Sequence, residues 1–272
     1  MKILNHLLYD DNGTQVSFKP TPNRGKRYVP QYLIMHYTAA TTAASAINWF
    51  MQSIAQASAH LLIGRDGAVT QFVPFNVVAW HAGSSSWNGL TGLNQYAVGI
   101  ELVNAGRLVK TGDKYVCPVD KKQVSNDDIV FAVHKNETKE CAWQEYTNAQ
   151  LEKAVEISAL LVKTYGLKDV LGHDDISPYR KSDPGPAFPM SSFRAKVMGR
   201  KDGELDTYHT TTGLNIRSGP GTSFNTLTEP LPAATPVLVL KREGNWSFVE
   251  VLDTVHGQAD LEGWVFSKYL EK

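Results

Sequence analysis

The sequence predicts a layered α/β domain followed by a small all-β barrel, and three observations carry that expectation. Short apolar runs of strand character alternate with helical patterns through the first 200 residues. One long amphipathic segment near residue 150 carries both a helix start and a helix stop signal. After Arg200-Lys201-Asp202-Gly203 the helical period disappears, and short Val, Leu and Trp runs are separated by Gly, Pro and Asn. At about 150 residues per domain, 272 residues suit one large domain or two unequal ones. The change of character places the boundary near Gly203, with domains over 1–203 and 204–272.

Gln31-Tyr32-Leu33-Ile34-Met35-His36-Tyr37 reads as a short buried strand. Thr42 then opens an Ala-rich helix running to Met51, with Ala46, Trp49 and Phe50 expected on one face. His60-Leu61-Leu62-Ile63 and Ala68-Val69-Thr70-Gln71-Phe72-Val73 read as strands joined by the turn Gly64-Arg65-Asp66-Gly67. Ala97-Val98-Gly99-Ile100-Glu101-Leu102-Val103 is a further buried strand with a glutamate inside it. Residues 105–146 are polar and irregular, hold both cysteines, and read as an insertion. Thr147 with Gln150 three residues on forms a capping box. Leu151, Ala154, Val155, Leu161, Val162 and Tyr165 share one face of the helix that follows, and Gly166 stops it.

Composition narrows the function classes. Hydrophobic residues make up 42% and charged residues 20%, a globular mix able to bury a full core. Lys+Arg and Asp+Glu are both 27, so the formal net charge is zero. That balance removes the electrostatic footprint of a general nucleic-acid binder. It is the sum of +4 on residues 1–203 and −4 on residues 204–272. Cys117 and Cys141 are too few for a disulfide scaffold and lack a C-x-x-C spacing, which excludes a structural zinc built on thiolates. One bridge between them and two inert thiols both remain open. No stretch approaches the roughly 18 apolar residues of a transmembrane helix. The segment Met1 to Asp11 is too short and too acidic for a secretory signal. The expectation is therefore a cytosolic chain, export by another route, or a longer precursor.

Eight histidines are spread through the chain without an H-E-x-x-H motif, so a metal site must be assembled from distant segments. His36 ends a buried strand, His173 follows the apolar run Val170-Leu171-Gly172, and Asp183 lies in a Pro/Gly turn. Two neutral imidazoles and one carboxylate are a common catalytic zinc set, with a fourth position open for water.

Six segments in order over about 150 residues carry a family resemblance. They are His36-Tyr37-Thr38-Ala39, Ser58-Ala59-His60, Ala79-Trp80-His81-Ala82-Gly83, Val98-Gly99-Ile100-Glu101-Leu102-Val103-Asn104, Gly172-His173-Asp174-Asp175-Ile176 and Arg180-Lys181-Ser182-Asp183-Pro184-Gly185-Pro186. Together they resemble the zinc-dependent N-acetylmuramoyl-L-alanine amidases of the type 2 family. That group includes the anhydromuropeptide amidases and, more distantly, phage T7 lysozyme and the peptidoglycan recognition proteins. The resemblance implies a mixed central β-sheet flanked by helices, with zinc held by His36, His173 and Asp183. It further implies that Glu101 activates the attacking water and that Lys181 stabilises the oxyanion. Amide hydrolysis needs such a nucleophile, proton carrier and positive group. A glutamate on a buried strand suits the proton shuttle through a raised pKa, although one alternating with Ile100 and Leu102 can also point to solvent. Distant phage members use a tyrosine where this chain has Ala59, which leaves proton transfer to Glu101. Tyr179, where relatives often have glycine, alters the cleft rim and not the ligand set.

His81 is expected to touch substrate or to support a ligand from behind, and His60 is left as structural. Trp80, Trp87 and Asn88 stand in or beside the loop Gly83-Ser84-Ser85-Ser86-Trp87-Asn88-Gly89, as candidate contacts to sugar rings or muropeptide stems. The competing reading has the two tryptophans cap the core, Trp80 more than Trp87.

Residues 207–272 resemble bacterial SH3-like (SH3b) domains through Gly213-Leu214-Asn215-Ile216-Arg217-Ser218-Gly219-Pro220-Gly221-Thr222, Asn245-Trp246-Ser247-Phe248-Val249-Glu250-Val251 and Gly263-Trp264-Val265-Phe266-Ser267-Lys268-Tyr269-Leu270. The resemblance implies a small all-β SH3-like barrel that targets peptidoglycan peptides. Trp246, Trp264 and Tyr269 are expected mostly in its core, and Asn215 and Arg217 are expected to fix neighbouring backbone.

The leading expectation is a zinc amidase acting on peptidoglycan or muropeptides. A non-catalytic muropeptide-recognition protein of the same fold is the alternative, ranked lower because all five site residues are present. A cysteine peptidase using Cys117 or Cys141 ranks third, since neither cysteine begins a helix and only His134 is near in sequence.

Overall fold

The computed structural model describes residues 1–198, 207–258 and 261–272. They fall into two compact units, Met1–Val130 with Ala142–Gly199 and Phe131–Cys141 with Arg200–Lys272. The expected boundary at residues 203 and 204 lies outside the described residues.

The first unit is built on a mixed six-stranded sheet, in the order Asp169–Gly172, Tyr32–Tyr37, Ala97–Leu102, Leu61–Ile63, Val69–Gln71, Ser17–Phe18. The first four strands run parallel, and the Leu61–Ile63 strand turns back on Val69–Gln71 as an antiparallel hairpin. Parallel strands buried on both faces read as continuous apolar runs, which is why Tyr32–Met35 and Ala97–Ile100 carry no polar alternation.

Period-two geometry divides those strands between two faces. Leu33, Met35, Leu61, Ile63, Val98, Ile100 and Leu102 pack with Ala154, Ile157 and Leu161 of the long helix and with Phe193 and Val197 of a C-terminal one. Burying each large aliphatic side chain here contributes roughly 1.5–3 kcal/mol. The opposite face takes Tyr32, Ile34, Ala97 and Leu171 into a second cluster, and Leu62 into a third under the first helix with Ala46 and Phe50. His36 and Glu101 belong to this second face by alternation, at the carboxyl ends of adjacent parallel strands.

The long helix spans Asn148–Tyr165, and its capping box is formed as the sequence predicts. Gly166 closes it at φ 62, a left-handed turn where glycine carries no Cβ penalty. The first helix, Ala43–Phe50, is capped by Thr42 and buries Ala46 and Phe50. Trp49 departs from the expected buried face and is 50% exposed. Residues 105–146 are more regular than the sequence suggests. They hold the hairpin Val109–Thr111 with Lys114–Val116 and a small core of Ala105, Leu108, Cys117, Val124 and Ala142. Both cysteines are free, and Cys117 is buried. No helix among the described residues is long and apolar enough to cross a membrane.

The second unit carries a five-stranded antiparallel sheet in the order Glu262–Phe266, Trp246–Val251, Pro236–Glu243, Thr207–Thr210, Leu270–Glu271. Its core is Leu214, Ile216, Leu231, Val237, Val249, Val251, Val255 and Val265. Trp246, Trp264 and Tyr269 are not part of that core, contrary to expectation. Trp246 pairs with Phe266 and Phe248 with Trp264 across the strands, on the face opposite Val249 and Val265. Branched aliphatics fill this narrow interior and leave the rings half-buried outside. Arg217 fixes the turn after it by donating to the Phe224 carbonyl at 2.8 Å. The Phe131–Cys141 segment belongs to this unit, where Val133 N–H donates to the Gly257 carbonyl at 3.1 Å.

Replacing Thr147 with alanine removes the bonds from Gln150 N–H to its hydroxyl at 3.2 Å and from that hydroxyl to the Arg65 carbonyl at 2.6 Å. The expected loss is about 1–2 kcal/mol. It is read as a lower urea midpoint with an unchanged slope.

Candidate metal centre and its cleft

Three adjacent parallel strands bring the site together. His36 is in register with Glu101 on the neighbouring strand, and Met35 is in register with Gly172, one residue before His173. Carboxyl ends of parallel strands are where open α/β sheets present ligands. Asp183 arrives on a loop anchored at three points. Asp174 N–H donates to the Asp183 carbonyl at 2.9 Å, Tyr146 hydroxyl donates to the Pro184 carbonyl at 2.8 Å, and the Tyr37 and Ser182 hydroxyls share a bond of 2.8 Å.

The hydrogen bonds assign the imidazole tautomers. The Ala97 carbonyl can only accept, so His81 Nε2, 3.1 Å away, carries the proton and its Nδ1 is bare. His36 Nε2 lies 3.0 Å from that bare nitrogen and must donate to it, which leaves His36 Nδ1 bare. His173 Nε2 lies 3.1 Å from the Ala82 carbonyl and 3.4 Å from Arg180 Nη2, and donation to the nearer carbonyl leaves Nδ1 of the neutral ring bare as well. Those two nitrogens are 3.0 Å apart, and each is 2.9 Å from Asp183 Oδ2.

Three lone pairs with no proton between them converge there, all on buried residues. Lone pairs at that spacing repel unless a proton or a metal cation lies among them. Tetrahedral ligands at 2.0–2.1 Å from zinc would stand about 3.3 Å from one another, close to the observed spacing. The donor set therefore fits a divalent metal bound by two imidazoles and one carboxylate. Burial is the main cause that lowers His36 to about 4, so it is neutral at neutral pH as a ligand must be.

Glu101 shares the cleft. Its strand is internal to the sheet, and the side chain is partly buried in the wall of the cleft. Burial, reinforced by the charge of Asp183 and opposed by that of Lys181, raises Glu101 to about 8. Its Oε2 is buried without a hydrogen-bond partner. A carboxyl so placed can hold or release a proton near neutral pH. Lys181 is exposed and lines the same cleft.

His81 lies behind His36 because Gly99 gives it room, and a Cβ on Gly99 would overlap the imidazole ring. Burial first, then the neighbouring His36 and His60, hold His81 well below the ordinary histidine range. His60 is fully buried and bonded to the Val77 carbonyl at 2.9 Å and to Gly99 N–H at 3.0 Å, which makes it structural. Burial lowers it to about 3. Trp80 lines the cleft. Trp87 and Asn88 do not. Trp87 packs against the cluster containing Tyr32 and Leu93, and Asn88 forms a tight turn with Gly89 at φ 45 and 79. An aromatic in a short hairpin gains more from the core edge than from solvent, so the loop keeps it inward.

Sequence reasoning missed two contributors. Arg180 donates to the carbonyls of Ala82 and Ser84 at 3.0 and 2.6 Å and to the Ser177 hydroxyl at 2.7 Å. It thereby ties the His173 loop to the His81 loop. Trp49 and its helix form one rim of the cleft. The spacing of Ser45, Trp49 and Gln52 along one helical face was the available signal. Cys117 is not poised as a nucleophile, because burial pushes its thiol up.

Comparison with known proteins gives the family. Residues 25–186, more than half of the chain, match the family model described as N-acetylmuramoyl-L-alanine amidase. Residues 212–271 match the bacterial SH3 domain. The chain is 34% identical over 150 residues to the 1,6-anhydro-N-acetylmuramyl-L-alanine amidase AmpD of Enterobacter cloacae, covering 54% of this chain and 61% of that protein. It is 30% identical over 176 residues to the N-acetylmuramoyl-L-alanine amidase AmiD of Escherichia coli, covering 61% of this chain and 53% of that one. These matches span between half and two thirds of the relatives' length. A solved complex of E. coli AmiD with anhydro-N-acetylmuramic acid-L-Ala-D-gamma-Glu-L-Lys aligns at 25% identity and a TM-score of 0.48, over 70% of this chain and 66% of that one. From the match over residues 25–186, the chain belongs to the N-acetylmuramoyl-L-alanine amidase family.

Proposed function

We propose that this chain hydrolyses the amide between N-acetylmuramic acid and the L-alanine of a peptidoglycan stem, using zinc held by His36, His173 and Asp183. The observation that carries the reading is the meeting of three bare ligand atoms within 3.0 Å, in one cleft with the unpartnered carboxyl of Glu101. Zinc bound there would polarise the scissile carbonyl and acidify water. The chain's own groups do the rest. Glu101 takes the proton of the attacking water and returns it to the alanine nitrogen as that nitrogen leaves. Lys181 places an ammonium beside the developing oxyanion. Trp80 and His81 line the cleft wall. In this reading residues 1–203 are the catalytic domain and residues 204–272 a wall-targeting SH3-like domain.

Digestion of purified sacculi and soluble muropeptides, with mass analysis of the products, tests the reading. Free stem peptides beginning at L-alanine are expected, and a chelator should abolish them. Muropeptide binding without any cleavage by the zinc-loaded protein would replace the enzyme with a recognition protein.

Single alanine replacements of His36, His173 or Asp183 are expected to lose both metal and turnover. Glu101→Gln should keep the metal and lose about 10²–10⁴-fold in rate. His81→Ala should weaken metal affinity by about 10–100-fold in chelator competition, because His36 loses the acceptor that fixes its tautomer. In His81→Asn the amide oxygen can replace Nδ1 as acceptor, so that variant should recover much of the affinity.

Glu101 also sets a pH dependence in the metal-stripped protein. Its folded-state value of about 8 lies above the ordinary glutamate value of 4.5, so the neutral acid favours the folded state. That contribution is complete below about pH 4.5 and is lost as pH rises through about 8. Thermal midpoints taken along this range should fall, and Glu101→Gln should fall less steeply.

A further inference from the structure

The cleft of about 810 Å³ is lined unevenly. Its cationic lining residues, Arg180 and Lys181, come from the loop that carries Asp183, and the Ala43–Phe50 helix supplies none. That helix instead turns Ser45, Asn48 and Trp49 toward the cleft, joined by Gln52 just past its end. Positions 45, 48, 49 and 52 share one helical face, and Ala46 and Phe50, which also border the cleft, anchor the helix on the core. Trp49 is 50% exposed, large for an indole that is not at a chain end. Gln52 Nε2 bonds the Asn48 carbonyl at 3.2 Å, which ties the amide to that helix.

The facing rim comes from the 105–146 region. Val119 lines the cleft and is 64% exposed at the tip of a tight turn. Two anchors hold that turn to the segment leading into the Trp49 helix. Thr41 donates its N–H and hydroxyl to Asp120 Oδ2 at 3.0 and 2.6 Å, and Cys117 Sγ donates to the Ala39 carbonyl at 3.4 Å. The two rims are therefore one braced unit, and two exposed apolar side chains are kept on it at a cost in hydration.

We propose that Trp49 and Val119 form the sugar-holding end of the cleft, with a pyranose ring stacked on the indole and capped by the valine. A pyranose has an apolar C–H face and a rim of hydroxyls. The indole suits the first, and the amides of Asn48 and Gln52 with the Ser45 hydroxyl suit the second. A peptide stem has carboxylates, for which the Ala43–Phe50 helix, with no cationic side chain, offers no ionic partner. This inference rests on the amidase reading and assigns the glycan side of that substrate to this chain's own residues.

The test uses the zinc-loaded full chain and two ligands that lack the scissile amide. One is a wall disaccharide without peptide, the other a stem peptide without sugar. Trp49→Ala is expected to weaken disaccharide binding about tenfold, the scale of a lost aromatic stack, and to leave stem-peptide binding unchanged. Trp49→Phe should restore most of the affinity, and Val119→Asn should give a smaller loss confined to the disaccharide. Equal binding of the disaccharide by wild type and Trp49→Ala overturns the proposal, as does an equal loss of both ligands. Cleavage of muropeptides by wild type is scored separately. Trp49-dependent sugar binding without cleavage would remove the amidase reading and keep the platform. Cleavage with Trp49-independent binding would do the reverse.

Discussion

The site depends on one constraint, which is that three ligand atoms without protons must be held within 3.0 Å of one another. Left alone, such a cluster would take up a proton or spread apart. The fold holds the three atoms together and fixes the far side of each imidazole. His173 is committed to the Ala82 carbonyl, and His36 to His81, which is in turn committed to the Ala97 carbonyl. Each bond puts a proton on Nε2 and so aims a bare Nδ1 inward. Much of the architecture serves this arrangement. The parallel register aligns His36 beside His173, Gly99 makes room for His81, and the Asp183 loop is anchored through Asp174, Tyr146 and Tyr37.

The same burial that fixes the imidazoles shapes the electrostatics of Glu101. Partial burial in the cleft wall, with Oε2 shielded, raises the cost of ionising its carboxyl, and the charge of Asp183 adds to it. Lys181 partly offsets both. A fixed cation at the ligand cluster would shift the balance further toward the carboxylate. The proton affinity of Glu101 would thus be coupled to metal occupancy, which suits a group proposed to receive a proton only when the site is loaded.

Legibility differed between the elements. Local signals named the strands around His36 and Glu101, the hairpin through Gly64-Arg65-Asp66-Gly67, and the helix from Thr147 to Gly166, because each is set by short-range periodicity, capping or turn chemistry. Trp49 was misplaced because a short helix has two sides that periodicity alone cannot rank when alanines separate the large residues. Trp87 and Asn88 looked free in a Gly/Ser-rich loop, yet a two-residue hairpin folds the ring back onto the Tyr32 cluster. The aromatic residues of the second unit were assigned to a core that valines, leucines and an isoleucine fill instead.

The sequence by itself determined the residue types and their order: a strand ending in histidine, a strand carrying an acid, and a Pro/Gly turn carrying an aspartate. It also determined the two-part organisation, through the change of pattern after Gly203. These are local properties, written in spacing and composition. Tertiary structure alone decided which nitrogen of each histidine faces inward, since that depends on carbonyls 61 and 91 residues away. It also decided that Glu101 sits on an internal strand, and that a turn from the 105–146 region meets the Trp49 helix across one cleft. Such choices follow from which strands pair and which loops are tied together, and those free-energy differences arise only once the chain is packed.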